Sequence, residues 1–324
     1  QICDPAWDGV TASCSVVKDG GDDPDCTTGV HVVCSVTIEE KYENEEILVD
    51  IDGGEGVGRV TLPGLDQPVG NAAINRVPRK MIEEEVRDVC ILCDFSGKLK
   101  VVVSVPEGME IAKRTFNPRL GIRDGISILG TSGIVEPMSS QALLDTIRVE
   151  LNQKKSLGNH AVCITPGNYG LEFMKKNFSY DLDRAVKCSN FIGASIDMAV
   201  ELGFKKILLC GHIGKLVKLA GGIWNTHSRE ADCRMELLAS AAIRAGCSVQ
   251  AAGKVLDCVT TEEGIKVLIK EGICDKVMEN LLQKVMFNLE NRCKDVEIGC
   301  MIYCNQFGML AQSDNAQGFL REVM

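Results

Sequence analysis

From residue 160 onward, short apolar runs that stop at glycine-containing turns alternate with helical patterns, and few architectures satisfy that order. HAVCIT (160–165) runs into PGNYG (166–170), and CSNFIGASIDMAVELG reads as a helix closed by Gly203. KKILLC follows as a strand, and HSREADCRMELLASAAIRAG reads as a second helix closed by Gly246. Such alternation predicts a small parallel sheet with crossover helices. Upstream, Ser139 or Ser140 can cap a helix that starts near Gln141 in EPMSSQALLDTIRVELNQKK. The change of pattern sets a domain boundary near residues 150–158.

The first half has a different grain. VHVVCSVTIEE (30–40), EEILVDI (45–51) and LKVVVSV (99–105) are short β-branched runs separated by polar or glycine-rich segments, which predicts a mixed sheet. VPRKMIEEEVRDVC places Pro78 in a tolerated first turn and spaces Met81, Val86 and Val89 for one helix on that sheet. A chain of 324 residues exceeds what one hydrophobic core usually organises, so an α+β domain at 1–155 and an α/β domain at 156–324 are expected. The sequence holds no apolar run of the roughly 18 residues that a membrane-spanning helix requires, and no signal peptide, which reads as a soluble protein without a membrane partner. Gln1 in place of methionine reads as the start of a fragment or processed chain.

Charge and cysteine usage narrow the function further. A net charge of -10 weighs against nucleic acid as a partner, while a small anion remains acceptable wherever cations converge. Sixteen cysteines are scattered from Cys3 to Cys304, with close pairs only at Cys90/Cys93 and Cys300/Cys304. No second CxxC or histidine pair follows at zinc spacing, so no metal site is expected; reduced core thiols fit, and with them the cytoplasm.

In parallel α/β sheets, ligands collect at the carboxyl ends of the strands, where PGNYG and GHIGK (211–215) fall. Glycine lets backbone amides approach a ligand there, although a tight turn alone also explains each loop. GHIGK is no Walker loop, because only two residues separate Gly211 from Gly214 and Leu216 follows Lys215. GGEGVGRVTLPGL (53–65) packs four glycines around Glu55 and implies a close backbone approach, yet lacks GxGxxG spacing. The acidic loop KDGGDDPD (18–25) lacks the ligand spacing of an EF-hand. Lys18, Arg59, Arg76, Arg79, Lys80, Arg114, Arg119, Arg123, Lys215 and Lys218 lie near these loops in sequence, a set suited to a polycarboxylate. Of the four histidines, His212 is the most plausible functional one.

Several of these segments together closely resemble the CbiD family. They are KDGGDDPD with Thr27, GEGVGRVTLPGL followed by PVGNAAINRVPRKMI, TFNPRLGIRDGISILGTSGIVEPMS, TPGNYG, and GHIGKLVKLAGGIWNTHSREADCRMELL, in the expected order from about residue 10 to beyond residue 250. The resemblance implies an α+β first domain of a permuted ribosomal-protein-S5-domain-2-like fold, then the α/β domain. It implies methylation of ring carbon C1 of cobalt-precorrin-5B by S-adenosylmethionine, giving cobalt-precorrin-6A in anaerobic cobalamin biosynthesis, with cobalt only as part of the substrate. Gly167, Asn168, Tyr169, Gly170, Gly211, His212 and Gly214 are then expected at the cofactor. Lys18, Asp22, Asp23, Glu55, Arg59, Arg119, Thr131, Ser132 and Lys215 are expected at the anionic tetrapyrrole. Methyl transfer to carbon needs no side-chain nucleophile, so Ser132 and Cys210 are not promoted to one and the catalytic residues stay unassigned. Such proteins usually begin with a GxTTGxCA-type segment that has no counterpart before Gln1; if that segment helps form the site, the site here is incomplete. A homo-oligomer stays open. The rival readings are a non-catalytic tetrapyrrole carrier and a nucleotide-using α/β enzyme.

Overall fold

The structure is a computed structural model that describes residues 2–20, 26–43, 46–115, 117–118, 120–129, 140–167, 171–181 and 184–324. It divides into two compact units, Gln1–Ser140 and Gln141–Met324.

The first unit contains β1 (Ile2–Trp7), β2 (Thr11–Val17), β3 (His31–Lys41), β4 (Ile47–Gly53), β5 (Arg59–Val60), α1 (Arg76–Leu92), β6 (Gly97–Ser104), α2 (Gly108–Ala112) and β7 (Ile122–Arg123). Five strands form one sheet in the order β1-β2-β3-β6-β4, antiparallel except for β4 beside β6, and β5 pairs with β7 apart from it. Period-two burial in β6 sends Leu99, Val101 and Val103 inward. Ile82 and Val86 of α1 pack on that layer, while Met81 and Val89 are exposed. The helix thus meets the sheet along an i, i+4 row from Pro78 through Ile82 and Val86 to Cys90, one position round from the expected face.

The second unit runs α3 (Ser140–Ser156), β8 (Ala161–Thr165), α4 (Leu171–Phe178), β9 (Val186–Lys187), α5 (Ile192–Glu201), β10 (Lys206–His212) and α6 (Ile213–Leu216). It continues with α7 (Arg234–Arg244), α8 (Val249–Leu256), α9 (Thr261–Lys270), α10 (Cys274–Arg292), β11 (Glu297–Cys304), β12 (Gly308–Gln312) and α11 (Ala316–Val323). The sheet order is β12-β11-β10-β8-β9, with β8, β9, β10 and β11 parallel and β12 returning antiparallel. Strand β10 is buried on both faces, as a central parallel strand must be. Ile207 and Leu209 join the large core that includes Ile196, Leu238 and Leu281, and Leu208 and Cys210 join Met174, Tyr180 and Phe319 on the other side.

Helix α3 belongs with this unit, because Ile147 and Leu151 are buried in its core, so the division falls earlier than the change of sequence pattern. Helix α7 begins at Arg234 and not at His227, since the segment before it is fastened down as loop by Lys218. Among the described residues, no helix is long and apolar enough to cross a membrane.

Candidate functional site

The carboxyl ends of β8, β10 and β11 bring together polar side chains from several elements of the second unit. His212 ends β10 in an extended conformation that turns the chain into α6. Its Nδ1 accepts the Gly214 N–H at 3.1 Å, so in the neutral ring the proton resides on Nε2. Nε2 lies 3.1 Å from Oε1 of Glu262, in the first turn of α9. Tyr303 on β11 stands edge-on to the imidazole, with centroids 6.0 Å apart and planes at 74°. Burial lowers the pKa of His212, and the Glu262 carboxylate opposes that shift.

Lys215 braces the other flank of the same turn. Its Nζ donates to the Pro166 carbonyl at 2.7 Å and to that of Ser189 at 3.3 Å, beyond the ends of β8 and β9. Burial lowers its pKa too. Lys218 is buried and donates to the carbonyls of Thr226 (3.1 Å) and Ala231 (2.7 Å). Trp224 lies under the Arg292 guanidinium at 4.5 Å, and Asp197 holds that guanidinium with two bonds of 2.8 and 2.5 Å. Gly193 makes room for this stack, since a Cβ there would come 2.7 Å from Trp224 Cβ.

The turn glycines have separate reasons. A Cβ on Gly211 would sit 2.9 Å from Pro166 Cγ and 3.0 Å from Leu216 Cγ, so close packing requires that glycine. On Gly214 it would come 3.2 Å from His212 Nδ1. At Gly167, φ is +151° and a Cβ would meet no atom of the described residues within 4 Å. Asn168, Tyr169 and Gly170 lie outside the described residues.

In the first unit, the Arg59 guanidinium holds Asp52 through bonds of 2.6 and 3.0 Å and donates to the Gly53 carbonyl at 2.8 Å. That pairing lowers the Asp52 pKa. Glu55 is exposed beside it. Arg79 spends its guanidinium on the carbonyls of Ile74, Ile51 and Ala72. Lys18 bonds the Thr27 hydroxyl, closing the base of the acidic loop. Asp22, Asp23, Arg119, Thr131 and Ser132 lie outside the described residues. The glycine run serves the chain itself: a Cβ on Gly56 would fall 1.8 Å from the Val105 carbonyl oxygen, and Cβ atoms on Gly108 and Gly125 would fall 2.1 and 2.3 Å from that of Gly56. A cavity of about 400 Å³ near Asp4, Ser15, His31 and Glu107 has an acidic rim unsuited to a polyanion.

Residues 1–137 match the CbiD family, and residues 225–314 match the CbiD C-terminal domain. A cobalt-precorrin-5B C(1)-methyltransferase of Ruminiclostridium cellulolyticum is 52% identical over 263 residues, covering 81% of this chain and 67% of that protein. The chain belongs to the CbiD family. A protein of the same name from Alkaliphilus metalliredigens is 42% identical over 313 residues, covering 96% of this chain and 80% of the other. A solved structure, a cobalamin biosynthesis protein (cbiD) from Archaeoglobus fulgidus, is 25% identical with a TM-score of 0.33, covering 72% of this chain and 70% of that one.

In this CbiD chain the strand-end constellation can accept and donate hydrogen bonds but is not arranged for a metal. Ligand atoms of His212, Glu262 and Cys304 do lie within 4.8 Å of one another. A histidine that ligates through Nε2 leaves Nδ1 to donate, however, and here Nδ1 faces the Gly214 donor. For a sulfonium cofactor the fit is better: a partly exposed Glu262 carboxylate, and turns fixed on both flanks. Glu262, Tyr303, Cys304 and Ser189 escaped the sequence reading. The TTEE start of α9, a capping box, is the signal that could have drawn attention to Glu262.

Proposed function

We propose that this CbiD chain transfers the methyl group of S-adenosylmethionine to ring carbon C1 of cobalt-precorrin-5B, yielding cobalt-precorrin-6A. The observation that carries this reading is the 52% identity over 263 residues to a protein named for that reaction. The cobalt belongs to the substrate. A carrier would account for the cations and a nucleotide enzyme for the glycine turns, but neither accounts for the likeness along both halves.

S-adenosylmethionine supplies an electrophilic methyl on sulfur, and the protein's task is to hold the two reactants in line with water excluded. We assign the cofactor to the strand ends of the second unit, where PGNYG follows β8 in sequence and the GHIGK turn is held by His212 and Lys215. Lys215 acts there through Pro166 and Ser189, with one ammonium proton left to reach a carboxylate. We assign the macrocycle's carboxylates to cations of the first unit, with Arg59 exchanging Asp52 for substrate and Arg119 assisting. The loop from Lys18 to Thr27, including Asp22 and Asp23, and the segment with Thr131 and Ser132 complete this assignment. For the first unit we favour the permuted S5-domain-2-like fold, and a reducing cytoplasm suits the thiols that pack the cores.

The deciding experiment supplies labelled S-adenosylmethionine and cobalt-precorrin-5B to the chain. Label at C1 is expected. Tetrapyrrole bound but unlabelled by a folded chain would favour the carrier instead.

A further inference from the structure

Residues 224–231 form a loop fastened at several points to the carboxyl end of the second unit's sheet. The Trp224 carbonyl accepts the Gly193 N–H at 3.1 Å, and the Thr226 N–H donates to the Asn190 carbonyl at 2.9 Å. Asn190 follows Ser189, whose carbonyl Lys215 holds, so this loop and the GHIGK turn grip consecutive carbonyls of one segment beyond β9. Ser189 has φ +50°, a conformation that costs a residue other than glycine. The buried ammonium of Lys218 staples the two ends of the loop, at Thr226 and Ala231. Thr226 is buried and its hydroxyl has no hydrogen-bond partner among the described residues, so packing does not explain why valine is not there instead.

What this held loop exposes is His227, Ser228, Arg229 and Glu230. His227 Nδ1 accepts the Arg229 N–H at 3.1 Å, so the neutral ring carries its proton on Nε2 as a donor. Among the described residues the Arg229 guanidinium meets no carboxylate, and Asp232, three residues on, is held by Arg234 through two bonds. Glu230 adds an acid next to these donors, which disfavours a ligand bearing carboxylates alone. An amino-acid end carries both a carboxylate for arginine and an ammonium for the acid. We propose that this loop seats the amino-acid end of S-adenosylmethionine, with Arg229 and the His227 Nε2–H taking its carboxylate and Glu230 its ammonium. The proposal rests on the function proposed above and deepens it by naming residues that recognise one end of the cofactor. Because Lys218 sets the loop before a ligand arrives, little ordering is lost on binding.

Titration calorimetry on the full chain tests this with two ligands. S-adenosylhomocysteine keeps the amino-acid end and has no methyl to transfer, whereas methylthioadenosine keeps the nucleoside and lacks that end. Arg229→Gln should raise the Kd of S-adenosylhomocysteine about 10–100-fold, as for a lost charged hydrogen bond, and leave that of methylthioadenosine unchanged. Arg229→Lys should recover part of the loss, since it restores the charge without the fork, and Glu230→Gln should weaken the same ligand by a smaller factor. The urea midpoint of Arg229→Gln should match that of the unaltered chain, because the exposed side chain holds nothing in place. Equal weakening of both ligands, or an unchanged affinity for S-adenosylhomocysteine, would overturn the proposal. In the second case a raised Kd for cobalt-precorrin-5B would give the loop to the macrocycle. An unaltered chain that binds neither nucleoside ligand would overturn the proposed function itself, whereas one that binds both equally well would overturn this seat alone.

Discussion

Two glycines show how differently one residue type can matter. Gly56 has φ +71°, and its missing Cβ would lie 1.8 Å from a backbone carbonyl oxygen that cannot swing aside. Gly56→Ala should therefore cost about 3 kcal/mol or more, read as a loss of urea midpoint. Gly253 lies inside α8 with nothing within 4 Å of its Cβ position, so Gly253→Ala should stabilise by about 0.5–1 kcal/mol in the same titration. His212 adds a pH dependence of definite sign. Its folded pKa lies below the ordinary 6.5, so the unfolded chain takes the proton first as pH falls. The histidine's contribution should be complete above pH 6.5 and decline as pH drops through the folded value. Urea midpoints at pH about 7.5 and about 5.5 should reveal that decline, and His212→Asn should reduce it.

At the scale of elements, the start of α9 can be tested through its cap. Thr260→Ala removes half of the capping box and should cost about 1 kcal/mol in a thermal or urea melt. Strands β3, β4, β6, β8 and β10 were legible because dense β-branched or aliphatic runs have few alternatives to a buried strand. Strands β1 and β2 escaped notice because exposed, polar and cysteine-bearing sequence with a register shift between Cys3 and Ala6 carries no clean alternation. The helix start assigned to HSREADC was misplaced for a tertiary reason, the buried ammonium of Lys218 fastening that segment at Thr226 and Ala231. The GHIGK turn was visible through its glycines, but its partners Glu262 and Tyr303 arrive from α9 and β11, and only the folded sheet brings them to His212. Likewise, no local pattern shows that the carbonyls of Pro166 and Ser189 come to lie beneath Lys215.

Across the whole molecule, the thiols divide by environment. Cys93 and Cys233 are exposed, whereas Cys163, Cys188 and Cys300 are buried with pKa values pushed up to about 12 by desolvation. A thiol reagent followed by peptide mapping should label the exposed pair first in the native protein, and reach the buried three only with denaturant. Rapid labelling of Cys163 without denaturant would contradict the packing of the second unit. The same cysteines also set the fate of a chain that opens. Packed in the cores the seven buried thiols are inert, yet unfolding adds them to the thiols already within reach of solvent, where oxidant can pair them at random. In air, each excursion to the open state can then become a one-way exit, and the lifetime of the folded protein is governed by how often it opens and not by how stable it is.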